Sequence, residues 1–273
     1  VAPYYRRYKL DGTITNTIAY NLTRALYGQR VRQPIGGDFG ISQRLAKHYF
    51  DQDVWETDVA RFGIDVWMTT TAVVGGFKLC QARLGVKVHG EKDPGADLGP
   101  MFRQVVGTIF QLMETNAGHW QKVRRSRDVP VLGEELEQEP TPFEIDQEGL
   151  VDYFRTGWAN FSGVWQRVVE EKDLEVIRDL ASVTRTEEFL LPAETWVRIV
   201  YRYARYFHAT PRQRFKILDT MVPLYNARVA SLINEVRDRD PGGAEKLFEA
   251  HAAAFEKMKD YLIRIWNEEV RDG

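Results

Sequence analysis

Apolar residues recur at three- and four-residue steps through nearly all of the chain beyond Leu150, a period that fits helices and little else. Phe154, Trp158, Phe161 and Trp165 set the pattern within a helix expected over 150–171. This aromatic stripe reads as core rather than as a platform for a sugar. Segments 193–207, 211–236 and 243–270 continue the period, and Leu247, Ala254, Met258, Tyr261, Leu262 and Ile265 form the last stripe. Pro211 suits a first helical turn after the cap Thr210, whereas Pro223 should kink or split its helix.

The first hundred residues have a different texture, with more than half of the 21 glycines. A helix is expected over 15–27, with Ile18, Leu22, Ala25 and Leu26 near one face and Gly28 as its stop. Pro34, Gly36, Gly37 and Gly40 make 33–41 an irregular loop. A short helix over 42–49 and a buried helix over 64–74 follow. Gly75-Gly76 ends the latter, and 77–88 reads as a strand broken at Gly85. A loop over 90–99 leads to a helix over 101–114. Residues 122–127 are basic, and 134–148 are acidic with Pro140 and Pro142, so a linker or surface excursion is expected there. The fold class expected is α+β, mostly helical.

Charge and composition exclude several functions. The formal net charge is -2, which provides no basic field for nucleic acid and no attraction to an anionic membrane. The apolar run over 66–76 is too short and polar to span a bilayer. Cys80 is the sole cysteine, so no disulfide forms within the chain, and a cytoplasmic location is expected. Cys80 itself reads as a buried small hydrophobe within the strand. Arg6, Arg7 and Lys9 precede no apolar signal core. The chain begins without methionine in dense sequence, and removal of a natural N-terminal segment is expected.

Four clusters could carry chemistry. Arg7, Asp11 and Thr15 are spaced by four and would share a helical face; they could bind a small hydroxy acid, or form an ion pair and a helix cap. The glycines of Gln33-Pro34-Ile35-Gly36-Gly37-Asp38 let backbone approach a ligand, though such turns are often only turns. Asp65 opens an apolar helix, as a helix-terminal acid or as a ligand contact. His89 closes an apolar strand, where imidazole suits a metal, though a lone histidine is commonly structural. His48, His119, His208 and His251 read as structural. Asp51-Gln52-Asp53 and Asp238-Arg239-Asp240 follow helices and read as surface loops.

Taken in order, these clusters over residues 4–115 resemble the second half of the GT-A retaining glycosyltransferases that make mannosylglycerate and glucosyl-3-phosphoglycerate. Arg7-x-x-x-Asp11-x-x-x-Thr15 resembles the glycerate-binding stretch of mannosylglycerate synthase. The loop at Gln33 is similar to the R/Q-P-L-(G/A)-G-E loop, with Asp38 in place of Glu and Ile35 in place of Leu. Gly63-Ile64-Asp65 resembles W-G-I-D or Y-G-V-E, and Leu84-Gly85-Val86-Lys87-Val88-His89 resembles L-G-V-R-x-H. The resemblance implies acceptor binding by Arg7, Asp11 and Thr15. It implies donor-sugar contacts from Ile35, Gly36, Gly37, Asp38 and Asp65, with the Ile35 backbone and Asp65 at the reacting centre. It implies His89 as a ligand of Mg²⁺ or Mn²⁺. Residues 1–125 would be the acceptor and metal side of a GT-A domain, 126–145 a charged linker or surface excursion, and 146–273 a helical extension.

The activity so implied is transfer of a hexose, with retention, from a nucleotide sugar to glycerate, 3-phosphoglycerate or a similar acceptor. The nucleotide-binding half and its Asp-x-Asp motif would precede Val1, so residues 1–273 alone are expected to be inactive or nearly so. The competing expectations are a glycosyltransferase with another acceptor and a noncatalytic helical module that pairs with a partner or a second copy.

Overall fold

In the computed structural model, which describes residues 1–87, 98–135 and 137–268, the chain divides into two units, Val1–Phe143 and Glu144–Gly273. The described residues are mostly helical, with two small parallel sheets.

The first unit opens with β1 (Ala2–Arg6). After a turn comes a π-helical segment (Thr15–Ala19) that continues as α1 (Tyr20–Tyr27). Next are β2 (Gln29–Arg30), α2 (Gln43–Phe50), a 3-10 turn (Asp58–Ala60), α3 (Ile64–Val74) and β3 (Gln81–Val86). Helices α4 (Leu98–Thr115) and α5 (Ala117–Trp120) and strands β4 (Arg127–Asp128) and β5 (Val131–Leu132) complete it. Strand β3 is central in one sheet, parallel to β1 and β5, with Ala2 opposite Gln81 and Gln81 opposite Val131. The β1–β3 register is irregular between Tyr4 and Arg6. Strands β2 and β4 make the second sheet.

Helix α1 buries Leu22, Ala25 and Leu26, and Gly28 at φ +67° ends it. It packs with α3, which in turn packs on α4; α3 buries Val66 and Ala72, and α4 buries Phe102, Val106, Ile109 and Phe110. Two glutamines act as substitute peptide groups. Gln81 Oε1 accepts from the Arg32 N–H at 2.7 Å, and Gln33 Nε2 donates to the Tyr5 carbonyl at 2.7 Å while Oε1 accepts from the Tyr5 N–H at 3.2 Å. Gln33 thereby satisfies backbone groups of β1 that no neighbouring strand reaches.

The stretch 126–145 supplies the two short strands β4 and β5. The strand expected over 77–88 is hydrogen-bonded as a strand only from Gln81 to Val86. Cys80 is partly buried just before it, and its carbonyl accepts from the Ala2 N–H at 2.8 Å.

The second unit contains α6 (Gln147–Val168), α7 (Glu171–Ala181), α8 (Ala193–Ala209), α9 (Arg214–Asp219), α10 (Val222–Val236), α11 (Pro241–Lys257) and α12 (Lys259–Asn267). The helix expected over 211–236 is split at Thr220 and Met221. Pro223 falls in the first turn of α10, where its missing N–H costs nothing. The helix expected over 243–270 breaks at Met258. Phe154 and Trp165 stack at 6.1 Å and are fully buried, and the Trp165 Nε1–H donates to the Thr220 carbonyl at 2.9 Å. A β-carbon at Gly157 would fall 2.3 Å from Pro223 Cβ, so glycine lets α6 and α10 meet closely.

Candidate functional site

The site grows from the turn after β1. Arg7, Asp11 and Thr15 do not share a helical face, because Arg7 and Asp11 lie in the turn and only Thr15 is helical. The turn itself brings them together. Asp11 N–H donates to the Tyr8 carbonyl at 2.8 Å, and Gly12 adopts φ +72°, which an L side chain rarely takes. A β-carbon on Gly12 would stand 2.7 Å from Arg7 Nη1 and 3.4 Å from Thr15 Oγ1, so these two groups flank the glycine. The Arg7 Nε lies 3.9 Å from Asp11 Oδ2, with both side chains largely buried.

Two polar atoms there have no hydrogen-bond partner among the described residues: Arg7 Nε and Thr15 Oγ1. Thr15 begins the π-helical segment, a local widening found frequently at functional sites. Burial pushes the Arg7 guanidinium below its ordinary pKa. Asp11 counters this, Arg32 adds to it, and Tyr5 and Asp65 counter it further. Arg32 is itself fixed: its Nη2 donates to Asn16 Oδ1 at 2.9 Å and its guanidinium lies over the Tyr20 ring at 5.0 Å.

The glycine loop is held from several sides. Thr69 Oγ1 of α3 donates to the Pro34 carbonyl at 3.0 Å. Gly36 is buried, and a β-carbon there would stand 2.1 Å from Pro3 Cγ. Gly37 adopts φ +89°, and its backbone N–H acts to lower the Asp65 pKa. Ile35 is partly buried between these anchors. Asp38 is exposed at its carboxylate, where Oδ2 accepts from Tyr5 OH at 2.6 Å and from Lys87 Nζ at 3.0 Å. Those two hydrogen bonds and the Lys87 charge hold the Asp38 carboxyl below the ordinary range. Burial, then Asp38, pushes the Tyr5 hydroxyl up to about 12.

Asp65 stands in the first turn of α3, which no side chain caps at Gly63. Burial pushes its carboxyl above the ordinary range. The Gly37 N–H opposes that, the Asp38 charge reinforces it, and Lys87 and Arg7 oppose it. Arg7, the Gly36-Gly37 turn, Asp38 and Asp65 therefore belong to one neighbourhood. Tyr5, Arg32 and Lys87 belong to it as well, and sequence reasoning missed them. Lys87 sat inside an expected strand, and Tyr5 stood outside every motif; only the pairing of β1 with β3 could have signalled both.

His89 lies outside the described residues. Among those described, no three His, Cys, Asp or Glu side chains gather as a group able to hold a metal ion. Asp38 is engaged by Tyr5 and Lys87, so the described residues of the site do not by themselves supply a cation's ligand set. The remaining candidates behave as expected of structural residues. Asp240 caps α11 through the Gly243 N–H at 2.6 Å, and Asp51 ends α2 beside Lys47. His208 stacks on Trp266 at 4.7 Å, and His251 lies against Arg228 and Glu235. Among the described residues no helix is long and apolar enough to cross a membrane. Comparison with protein-family models gives no match, and comparison with curated proteins gives none.

Proposed function

We propose that the chain carries the acceptor side of a retaining GT-A glycosyltransferase, which moves a hexose from a nucleotide sugar to a small hydroxy acid such as glycerate or 3-phosphoglycerate. The observation that carries the reading is the pair of buried polar atoms beside Gly12, Arg7 Nε and Thr15 Oγ1, which lack hydrogen-bond partners among the described residues. The acceptor carboxylate would meet Arg7, whose Nε lacks a partner among the described residues, and an acceptor hydroxyl would meet Thr15 Oγ1. Asp11 would help to position the acceptor by accepting from one of its hydroxyls. Asp65 would accept from donor-sugar hydroxyls while the Ile35 backbone lines the reacting centre. Fixing both substrates in this way makes the transfer effectively unimolecular.

The reading includes a divalent cation, Mg²⁺ or Mn²⁺, with His89 as its ligand from this chain; when bound, it would neutralise charge on the leaving diphosphate. The reaction would run by front-face attack, with a donor phosphate oxygen taking the proton. The test is a transfer assay, run on the 273-residue chain and on the complete product of its gene. A panel of nucleotide sugars would be paired with glycerate, 3-phosphoglycerate and other acceptors. Turnover that Asp65→Asn abolishes supports the proposal. Absence of transfer for every donor and acceptor in the complete gene product overturns it.

A further inference from the structure

Lys87 is the residue at this site that no motif assigned a role, and its ammonium is engaged on every side the structure shows. Nζ donates to the Gly36 carbonyl at 3.4 Å and to Asp38 Oδ2 at 3.0 Å, and it lies 4.3 Å from the Tyr5 ring centroid. It also stands 3.6 Å from where a Gly37 β-carbon would be. The Lys87 side chain is one-fifth exposed and that of Asp38 is 61% exposed, so the ion pair is open to water, and the contact with the Gly36 carbonyl is the more shielded of the two. Lys87 follows the last residue of β3, whose Val86 is paired with Arg6 of β1, and its own N–H donates to the Arg6 carbonyl at 3.1 Å. The ammonium is therefore presented from the sheet, while the groups it grips belong to the glycine loop.

We propose that Lys87 is a positioning residue: it clamps the Gly36-Gly37-Asp38 turn to the sheet and so fixes the orientation of the Gly36–Gly37 peptide. The clamp acts at two points. The Gly36 carbonyl is pulled toward β3, so that the N–H of the same trans peptide faces the opposite way, and Asp38 is tied to the same ammonium and to Tyr5 OH. Without the ammonium, the Gly36 carbonyl loses its described partner, and Asp38 and Asp65, two carboxylates close enough to feel one another, lose the cation between them. Arg7 is the remaining cation acting on Asp65, and it is already shared with Asp11. A turn whose peptide depends on one cation is held in a single orientation only while that cation is present.

This inference rests on the transferase reading for its kinetic consequence but not for its structural one, so the experiment has two arms. In the first, amide hydrogen exchange is followed at Gly37, Asp38 and Phe39 in the 273-residue chain. Loss of a charge-assisted hydrogen bond in Lys87→Met should speed exchange about tenfold, and Lys87→Arg should restore most of the protection. Exchange in Lys87→Met equal to that of the unaltered chain overturns the clamp, whatever the activity. In the second arm, once transfer is measured in the complete gene product, Lys87→Met should lower kcat with a smaller effect on the acceptor KM. A loss confined to the acceptor KM overturns the positioning role. Absence of transfer in the unaltered enzyme speaks against the proposed function alone, and the exchange arm still decides the clamp.

Discussion

The Arg7 guanidinium lies 3.9 Å from the Asp11 carboxylate, and its Nε hydrogen finds no acceptor among the described residues. A buried cation so loosely paired costs the fold desolvation that Asp11 only partly offsets. Such an arrangement makes sense when a ligand anion supplies the missing acceptor. Arg7→Met should therefore leave stability within about 1 kcal/mol of the unaltered chain, or above it, because the buried charge disappears along with its weak pair. Glycerate at a hundred times its Kd should stabilise the unaltered chain by about 2.7 kcal/mol and leave Arg7→Met unmoved. Thermal unfolding with and without glycerate measures both. A loss of several kcal/mol in Arg7→Met without ligand would assign the residue to the scaffold.

Asp65 gives a pH dependence with a definite sign. Its folded pKa is raised, chiefly by burial, so the folded state holds this proton more tightly than the unfolded chain does. Its contribution to stability is then most favourable below the unfolded pKa and declines as pH rises through the folded value. Asp65→Asn should be at least as stable as the parent at neutral pH, with the difference shrinking toward acid. Activity should run the other way, since accepting hydrogen bonds from sugar hydroxyls needs the ionised carboxylate. Transfer should fall on the acid side as pH drops through the raised pKa. Urea midpoints of the two proteins from acid to neutral pH test the first half, and a pH–rate profile tests the second.

Gly36 tests the loop by space rather than by charge. A β-carbon there would stand 2.1 Å from Pro3 Cγ and 3.2 Å from the Gln33 carbonyl, and the proline ring cannot swing away as a long side chain would. Gly36→Ala should cost about 1–3 kcal/mol, as overpacking does, and should displace the Ile35 and Gly37 peptides together. Denaturant unfolding gives the stability. Loss of the Gly37 amide's exchange protection gives the displacement. An alanine variant as stable as the parent would mean that β1 yields at Pro3.

Much of this architecture is legible in the amino-acid order, though unevenly. Helices α3 and α4 and the helical second unit follow from strong apolar period, and Gly28 and Gly75 stop their helices where the sequence places stops. The breaks at Thr220 and Met258 are less legible, because apolar period continues across both. Helix α7 escapes notice between two longer stripes, although Ile177 and Leu180 are buried at helical spacing. Strands β4 and β5 are two residues each and lie in charged sequence, so only tertiary pairing defines them. At the site, spacing by four groups Arg7, Asp11 and Thr15 for the wrong geometric reason: a turn gathers them, not a helical face. Lys87 and Tyr5 meet at Asp38 only because β1 pairs with β3, a contact that no local pattern encodes.

The second unit offers a test of its own scaffold that leaves the site untouched. Asp173 is fully buried in α7 and accepts from Arg198 of α8, at 2.9 Å from Nε to each carboxylate oxygen and at 2.6 Å from Nη2 to Oδ1. The Arg198 side chain keeps 15% of its exposure, and Nη2 also donates to Thr195 Oγ1 at 3.2 Å. Removing the acid leaves that guanidinium with the Thr195 hydroxyl and the weaker pull of the Glu170 and Glu194 charges. Asp173→Ala should therefore cost about 3–5 kcal/mol, as breaking a buried pair does. Replacing both residues, Asp173→Leu with Arg198→Met, should recover most of the loss, since apolar groups of similar volume fill the space without a stranded charge. Denaturant midpoints for the two single variants and the double variant decide it. Additive losses in the double variant would show that the pair holds α7 against α8 through its hydrogen bonds rather than through mutual neutralisation.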